Sequence, residues 1–232
     1  MDWIKFKNKF HLSWHSKIQK FIESKECDEI FAYLKKRKEE GVEIAPSAFC
    51  LFRAFRDTNL NELKCVIIGE NPYNSFVEEQ PIDTGVLFGS SIKLQPNLLE
   101  FYNGLEKELY NGLNLNIIYD YDLNYLTSQG VLMIPSSLTI EKNAKKGHSK
   151  IWKPFIEFLL REIISYTNVP ILFLGRSKQY MKEYEQSNYC YSLELPTIGN
   201  VWDTKKVFSA INNNIWESNK ETIMWLNIIE PF

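Results

Sequence analysis

Four consecutive apolar residues, Cys65-Val66-Ile67-Ile68, run straight into Gly69-Glu70-Asn71-Pro72-Tyr73-Asn74. An unbroken apolar run of this length reads as a buried strand, and a proline just past its glycine forces a sharp exit from the sheet. Ligands of open α/β sheets bind beyond the carboxyl ends of the strands. Residues 69–74 are therefore the first candidate site.

Further runs repeat the pattern. Val131-Leu132-Met133-Ile134-Pro135 follows Gln129-Gly130, Val169–Leu174 closes on Gly175, and Ser192-Leu193-Glu194-Leu195-Pro196 supplies a fourth strand. Helical patterns lie around and between them: residues 12–40 with Trp14, Ile18, Phe21, Ile22, Ile30, Phe31 and Leu34 at helical spacing, Ala48–Arg56, Pro96–Tyr110, Trp152–Ser165 and Trp202–Asn212. Residues 75–84 read as a polar, acidic loop with Glu78, Glu79 and Asp83, and Gly85–Ser91 as a short strand or extended segment. Strands alternating with helices predict an α/β fold, a three-layer α/β/α arrangement around a central four-stranded parallel sheet. At 232 residues with 44% hydrophobic content, one domain over residues 1–232 is expected.

Charge and cysteine usage narrow the function classes. A formal net charge of -2 excludes a global positive field, so any nucleic-acid contact must come from a local basic cluster. The most basic run is Lys142-Asn143-Ala144-Lys145-Lys146-Gly147-His148-Ser149-Lys150, read as a backbone-contacting loop or simply a solvated one. Cys27, Cys50, Cys65 and Cys190 show no C-x-x-C spacing, which argues against a zinc or iron–sulfur site and against a disulfide framework. His11 and His15 lie four apart without a third ligand nearby and are read as surface residues. No segment approaches ~18 consecutive apolar residues, so a soluble intracellular protein with no membrane partner is expected.

The order of these segments resembles family 1 uracil-DNA glycosylases over almost the whole chain. The likeness rests on Phe52-Arg53-Ala54-Phe55-Arg56, Val66–Tyr73, Gly85-Val86-Leu87-Phe88, Gln95-Pro96-Asn97-Leu98, Gln129–Leu132, Leu138-Thr139-Ile140, Gly147-His148 with Trp152 four residues on, and Phe173-Leu174-Gly175. The spacing of His148 to Trp152 and the Met224-Trp225 ending resemble poxvirus members. The resemblance implies a protein that flips a uridine out of DNA and hydrolyses its N-glycosidic bond with water, without metal or cofactor. That chemistry asks for a carboxylate near the anomeric carbon, a histidine donating to the uracil oxyanion, an asparagine reading the base edge and an aromatic platform.

Residue by residue, the resemblance implies a degraded site. Asn71 stands where the family has its water-activating aspartate, with Glu70 beside it; Asn71 is equally a residue that caps a turn. Leu195 falls on the family's histidine, Gly199 on the leucine that wedges into the base stack, and Pro135 on the base-reading asparagine. Phe88 and Tyr73 match the platform and the methyl-excluding tyrosine, and both also suit a packed core. Gln95, Pro96 and Asn97, with Thr197, Lys145, Lys146 and His148, correspond to DNA-facing loops.

The leading expectation is a uracil-DNA glycosylase fold that is catalytically inactive or severely impaired and retained for binding DNA or a protein. The protein partner would be a DNA-mimic inhibitor or a replication factor. A divergent active DNA glycosylase and a purely structural subunit are the rival readings.

Overall fold

The computed structural model describes residues 1–111, 113, 115–184, 189–199 and 202–229. The helical pattern at 12–40 is two helices. After a single turn, α1 (Trp3–Phe6), come α2 (His15–Ile22) and α3 (Lys25–Glu39). The break falls at Glu23-Ser24, where the Ser24 hydroxyl accepts from Cys27 N at 3.2 Å and caps a new helix. Beyond β1 (Ile44–Ala45), the stretch 48–56 is helical only over α4 (Arg53–Asp57). Its first half is spent in three-residue turns, Cys50 N to Ser47 O and Arg53 N to Cys50 O, each 2.9 Å.

β2 (Cys65–Gly69) is buried throughout. The acidic loop after it holds a hairpin, β3 (Phe76–Val77) and β4 (Gln80–Pro81), turned by Glu78 and Glu79 at φ 47° and 64°. Two successive positive φ values match the right-handed twist of the flanking strands. Gly85–Ser91 is a turn, contrary to the extended segment expected. Gly85 and Phe88 take φ 77° and 66°, Gly89 N donates to Val86 O at 2.8 Å, and pairing is confined to an isolated Asp83–Ser90 bridge.

The second half of the chain holds α5 (Pro96–Tyr110), α6 (Asn124–Thr127), β5 (Val131–Pro135) and β6 (Ile140–Glu141), which pairs with β1. α7 (Ser149–Phe158) begins three residues before the expected start and runs on through a π-helical turn, Leu159–Ile163, to Tyr166. β7 (Ile171–Leu174) leads into 3₁₀ turns over Gly175–Glu183. β8 is Cys190–Leu193, so Glu194, Leu195 and Pro196, expected in the strand, have already left the sheet. α8 spans Val207–Glu217, five residues later than expected, because Lys205 and Lys206 sit at φ 51° and 59° and cannot continue a right-handed helix.

The central sheet is ordered β5-β2-β7-β8, all parallel, in a three-layer α/β/α arrangement. β2 sits inside it, paired to β5 from Cys65↔Val131 to Gly69↔Pro135 and to β7 from Val66↔Ile171 to Ile68↔Phe173. Aromatic rings fill one side of the core. Phe55 lies 5.1 Å from Trp14 and 5.6 Å from Phe155, and the indoles of Trp14 and Trp152 are satisfied, the first by Thr58 O at 2.8 Å and the second by Thr139 Oγ1 at 2.7 Å. Among the described residues no helix is long and apolar enough to cross a membrane.

The Gly85 turn touches the strap before α4. A Cβ at Gly85 would stand 1.8 Å from the Cys50 carbonyl oxygen, at a φ of 77° that side chains disfavour. Gly85→Ala should lower stability by about 3 kcal/mol or more, read as a shift of the urea midpoint. An unchanged midpoint would refute the packing described.

Candidate nucleic-acid-binding cleft

The carboxyl ends of β2, β5 and β7 open into a cleft of about 640 Å³. Its geometry follows from hydrogen bonds that run past the ends of the strands. Ser136 N donates to Gly69 O at 2.9 Å and Ser137 N to Glu70 O at 3.0 Å, while the Ser136 hydroxyl reaches Glu70 O at 3.3 Å. Glu70, Asn71 and Ser136 thereby line the cleft beside Arg176, Lys178 and Gln179 from the segment after β7. Lys146, Gly147, Ser149 and Lys150 form the opposite wall.

Glu70 does not present a free carboxylate. Its Oε1 accepts from Arg176 N at 2.8 Å and its Oε2 from Arg176 Nε at 2.7 Å, with a third contact from the other guanidinium nitrogen. The bond to Glu70 raises the Arg176 pKa above its ordinary value. Leu195 lies near the Glu70 carboxylate. A Cβ built on Gly175 would lie 2.4 Å from Glu70 Oε1 and 2.8 Å from Leu195 Cγ, so the two side chains come together over that glycine.

Asn71 is also engaged, its Oδ1 accepting from Gly147 N at 3.0 Å. Asn74 extends the seam, donating to Ala144 O at 2.7 Å. The strand-exit loop and the basic loop are thus stitched together.

The groups expected around a base lie behind this lining. Phe88 is buried, with its ring 5.8 Å from Phe101 on α5, and Pro135 is buried at the end of β5 opposite Gly69. Tyr73 is half-buried, with a hydroxyl that has no hydrogen-bond partner among the described residues; burial, reinforced by Asp83, raises its phenol well above the ordinary range. Asp83 fixes the Tyr73 backbone. Its carboxylate accepts from Tyr73 N at 2.7 Å and Gly85 N at 2.8 Å. Burial pushes the Asp83 carboxyl up to about 7, against those two N–H groups and the charge of Arg53.

The DNA-facing residues expected from sequence divide. Lys146 lines the cleft and Lys145 is exposed outside its lining. His148, expected to face phosphate, is turned inward: its side chain is 8% exposed, Nδ1 lies 2.9 Å from Thr139 Oγ1 and Nε2 3.3 Å from Glu141 Oε1. Asn97 ties its own loop to the one after β8, donating to Pro196 O at 2.7 Å, with Pro96 at the first position of α5. Gln95 donates to Ser90 Oγ and Lys93 O at 3.3 Å each, and Thr197 and Gly199 are exposed. Arg176 and Lys178 were missed by sequence reasoning, although the glycine closing β7 marks the strand exit that places them.

No family model matches the chain. Among curated proteins, a uracil-DNA glycosylase of Streptococcus pneumoniae (serotype 19F, strain G54) is 26% identical over 225 residues, covering 93% of this chain and 99% of that protein. One of Campylobacter lari is 29% identical over 192 residues, covering 80% and 81%. Among solved structures, mimivirus uracil-DNA glycosylase superposes with a TM-score of 0.77 at 19% identity over 95% of this chain and 88% of that one. A mimivirus UNG variant in complex with UGI gives 0.78 at 21% identity, over 93% and 88%.

The raised Asp83 pKa gives a signed pH dependence. Relative to the unfolded chain, the folded protein favours neutral Asp83, so this contribution to stability is complete below about pH 4 and is lost as pH rises through about 7. Within that window wild-type stability should fall, relative to Asp83→Asn, by up to about 1.4 kcal/mol per pH unit. Urea denaturation of both proteins at several pH values measures the difference. Parallel curves would show that Asp83 titrates normally.

Proposed function

We propose that this chain, which resembles uracil-DNA glycosylases and has their fold, holds DNA by its phosphates and cleaves N-glycosidic bonds slowly or not at all. The observation that carries this reading is the Glu70–Arg176 pair. Among the described residues Glu70 is the one carboxylate lining the cleft, and its charge is matched by a guanidinium that contacts it twice. Lys146, Lys150 and Lys178 add three cations to the same lining.

Glycosidic cleavage builds positive charge on the sugar, which such a lining opposes. Phosphate oxygens are favoured by the same field. Asn71 can orient a water but cannot take its proton, Leu195 cannot donate to a developing oxyanion, and Pro135 has no amide to read a base edge. Each missing group costs on the order of 10² or more in rate. Lys178 is paired with Glu194, but Lys146 and Lys150, without an ion pair among the described residues, lie at the mouth of the sheet, where the family's substrate chemistry requires a carboxylate instead.

The test uses single-stranded DNA containing one uracil. Retention should weaken with salt at a slope of log affinity against log salt of about -3, from four cations. Lys146→Glu with Lys150→Glu should weaken binding at least tenfold. Uracil release should stay at background in both the wild type and Asn71→Asp. Uracil release by the wild type that disappears in Asn71→Ala would establish a divergent active glycosylase and overturn the reading.

A further inference from the structure

A second cavity, of about 500 Å³, shares no lining residue with the cleft. Its floor is apolar: Phe31 and Leu34 from α3 face Ile44, Pro46 and Leu51 from β1 and the turns after it. Leu34, Ile44 and Leu51 keep 7%, 8% and 8% of their surface exposed, so the floor is core that reaches solvent. Such a concave apolar floor is of the size that takes a few side chains of a ligand or peptide.

The rim carries charge of one net sign. Lys35 and Glu39 neutralise each other at 3.7 Å, but Lys38 has no ion pair among the described residues. Lys9 lies next to the lining, its Nζ 3.3 Å from the carbonyl oxygen of the lining residue Ala48 and 5.4 Å from the Phe49 ring, also without a carboxylate partner among the described residues. Phe49 itself is 66% exposed, with the Arg56 guanidinium 4.6 Å from its ring centroid. Arg56 is itself paired with Asp57 at 3.2 Å, so the unpaired positive charge beside the apolar trough is that of Lys38 and Lys9.

We propose that the groove docks a short acidic segment of a partner protein, two or three large apolar side chains entering the floor while carboxylates meet Lys38 and Lys9. A nucleic-acid backbone would use the lysines and gain nothing from the aliphatic floor. A flat anionic membrane surface cannot follow a trough. An acidic amphipathic segment satisfies both the floor and the rim, as helices and extended peptides do in other hydrophobic grooves. This site is independent of the cleft, so its success or failure leaves the DNA-binding reading untouched.

The experiment is fluorescence anisotropy with three short fluorescein-labelled peptides: leucines at every third or fourth position among glutamates, the same with serine for leucine, and the same with lysine for glutamate. The first should bind saturably and each control at least about tenfold more weakly. Lys38→Glu reverses a rim charge and Ala48→Trp fills the trough; both positions are exposed. Each variant should keep the wild-type melting temperature and DNA retention while weakening the acidic peptide at least about tenfold. Equal binding of all three peptides, or binding that neither variant changes, overturns the proposal. So does self-association that Ala48→Trp abolishes in a protein that ignores the peptide, which would assign the groove to a second copy.

Discussion

Between Ile68 and Pro72 the backbone leaves the sheet while still bonded to the exit of the neighbouring strand. Gly69 O and Glu70 O accept from Ser136 N and Ser137 N at 2.9 and 3.0 Å, two rungs beyond the last paired residues of β2 and β5. These rungs decide where Glu70 and Asn71 can point. On the other side the Ser177 hydroxyl donates to Ile68 O at 2.6 Å, which binds the turn after β7 to the same exit. With both flanks fixed, Arg176 is held beside Glu70, and an ion pair between the two needs little further ordering of the backbone.

That pairing sets the electrostatics of the cleft. A carboxylate with 14% of its side chain exposed, held by a backbone N–H and a guanidinium, is neutralised where it stands. Lys178 pairs with Glu194 at 3.3 Å, but Lys146 and Lys150 have no ion pair among the described residues, and the cleft favours anions over a developing cation. Arg176 keeps 63% of its own side chain exposed, so it can meet a phosphate without leaving Glu70. The charge that suits a phosphate is therefore the one that hinders glycosidic cleavage.

Much of this frame is legible in the sequence. β2, β5 and β7 are continuous apolar runs because both faces are covered, and such runs have few alternative readings. β8 starts two residues and ends three residues before the stretch expected, since its pattern is half-exposed and Leu193, Leu195 and Pro196 extend the apolar signal past the sheet. The turn at Gly85–Ser91 reads as a strand in sequence because Val86, Leu87 and Phe88 are apolar, yet they are buried by tertiary contact and not by pairing. His148 shows the limit for the site: its residue type suits phosphate, but the hydroxyl and carboxylate that turn it inward come from Thr139 and Glu141, a loop away. The Glu70–Arg176 pair is separated by 106 residues, and no local pattern announces it.

The amides around the cleft separate structural need from chemical need. Asn74 and Asn97 donate to carbonyl oxygens, Ala144 O and Pro196 O, and an aspartate at either position would set a negative charge against an acceptor. Those two asparagines are required by their bonds. Asn71 is different, because its side chain accepts from Gly147 N, a task a carboxylate performs at least as well. With Lys146, Lys150, Lys178 and Arg176 around it, a charge at that position would also be electrostatically welcome in the folded state. The local structure thus supplies no reason for an amide at 71, whereas one fewer negative charge at the floor would suit the proposed phosphate contact.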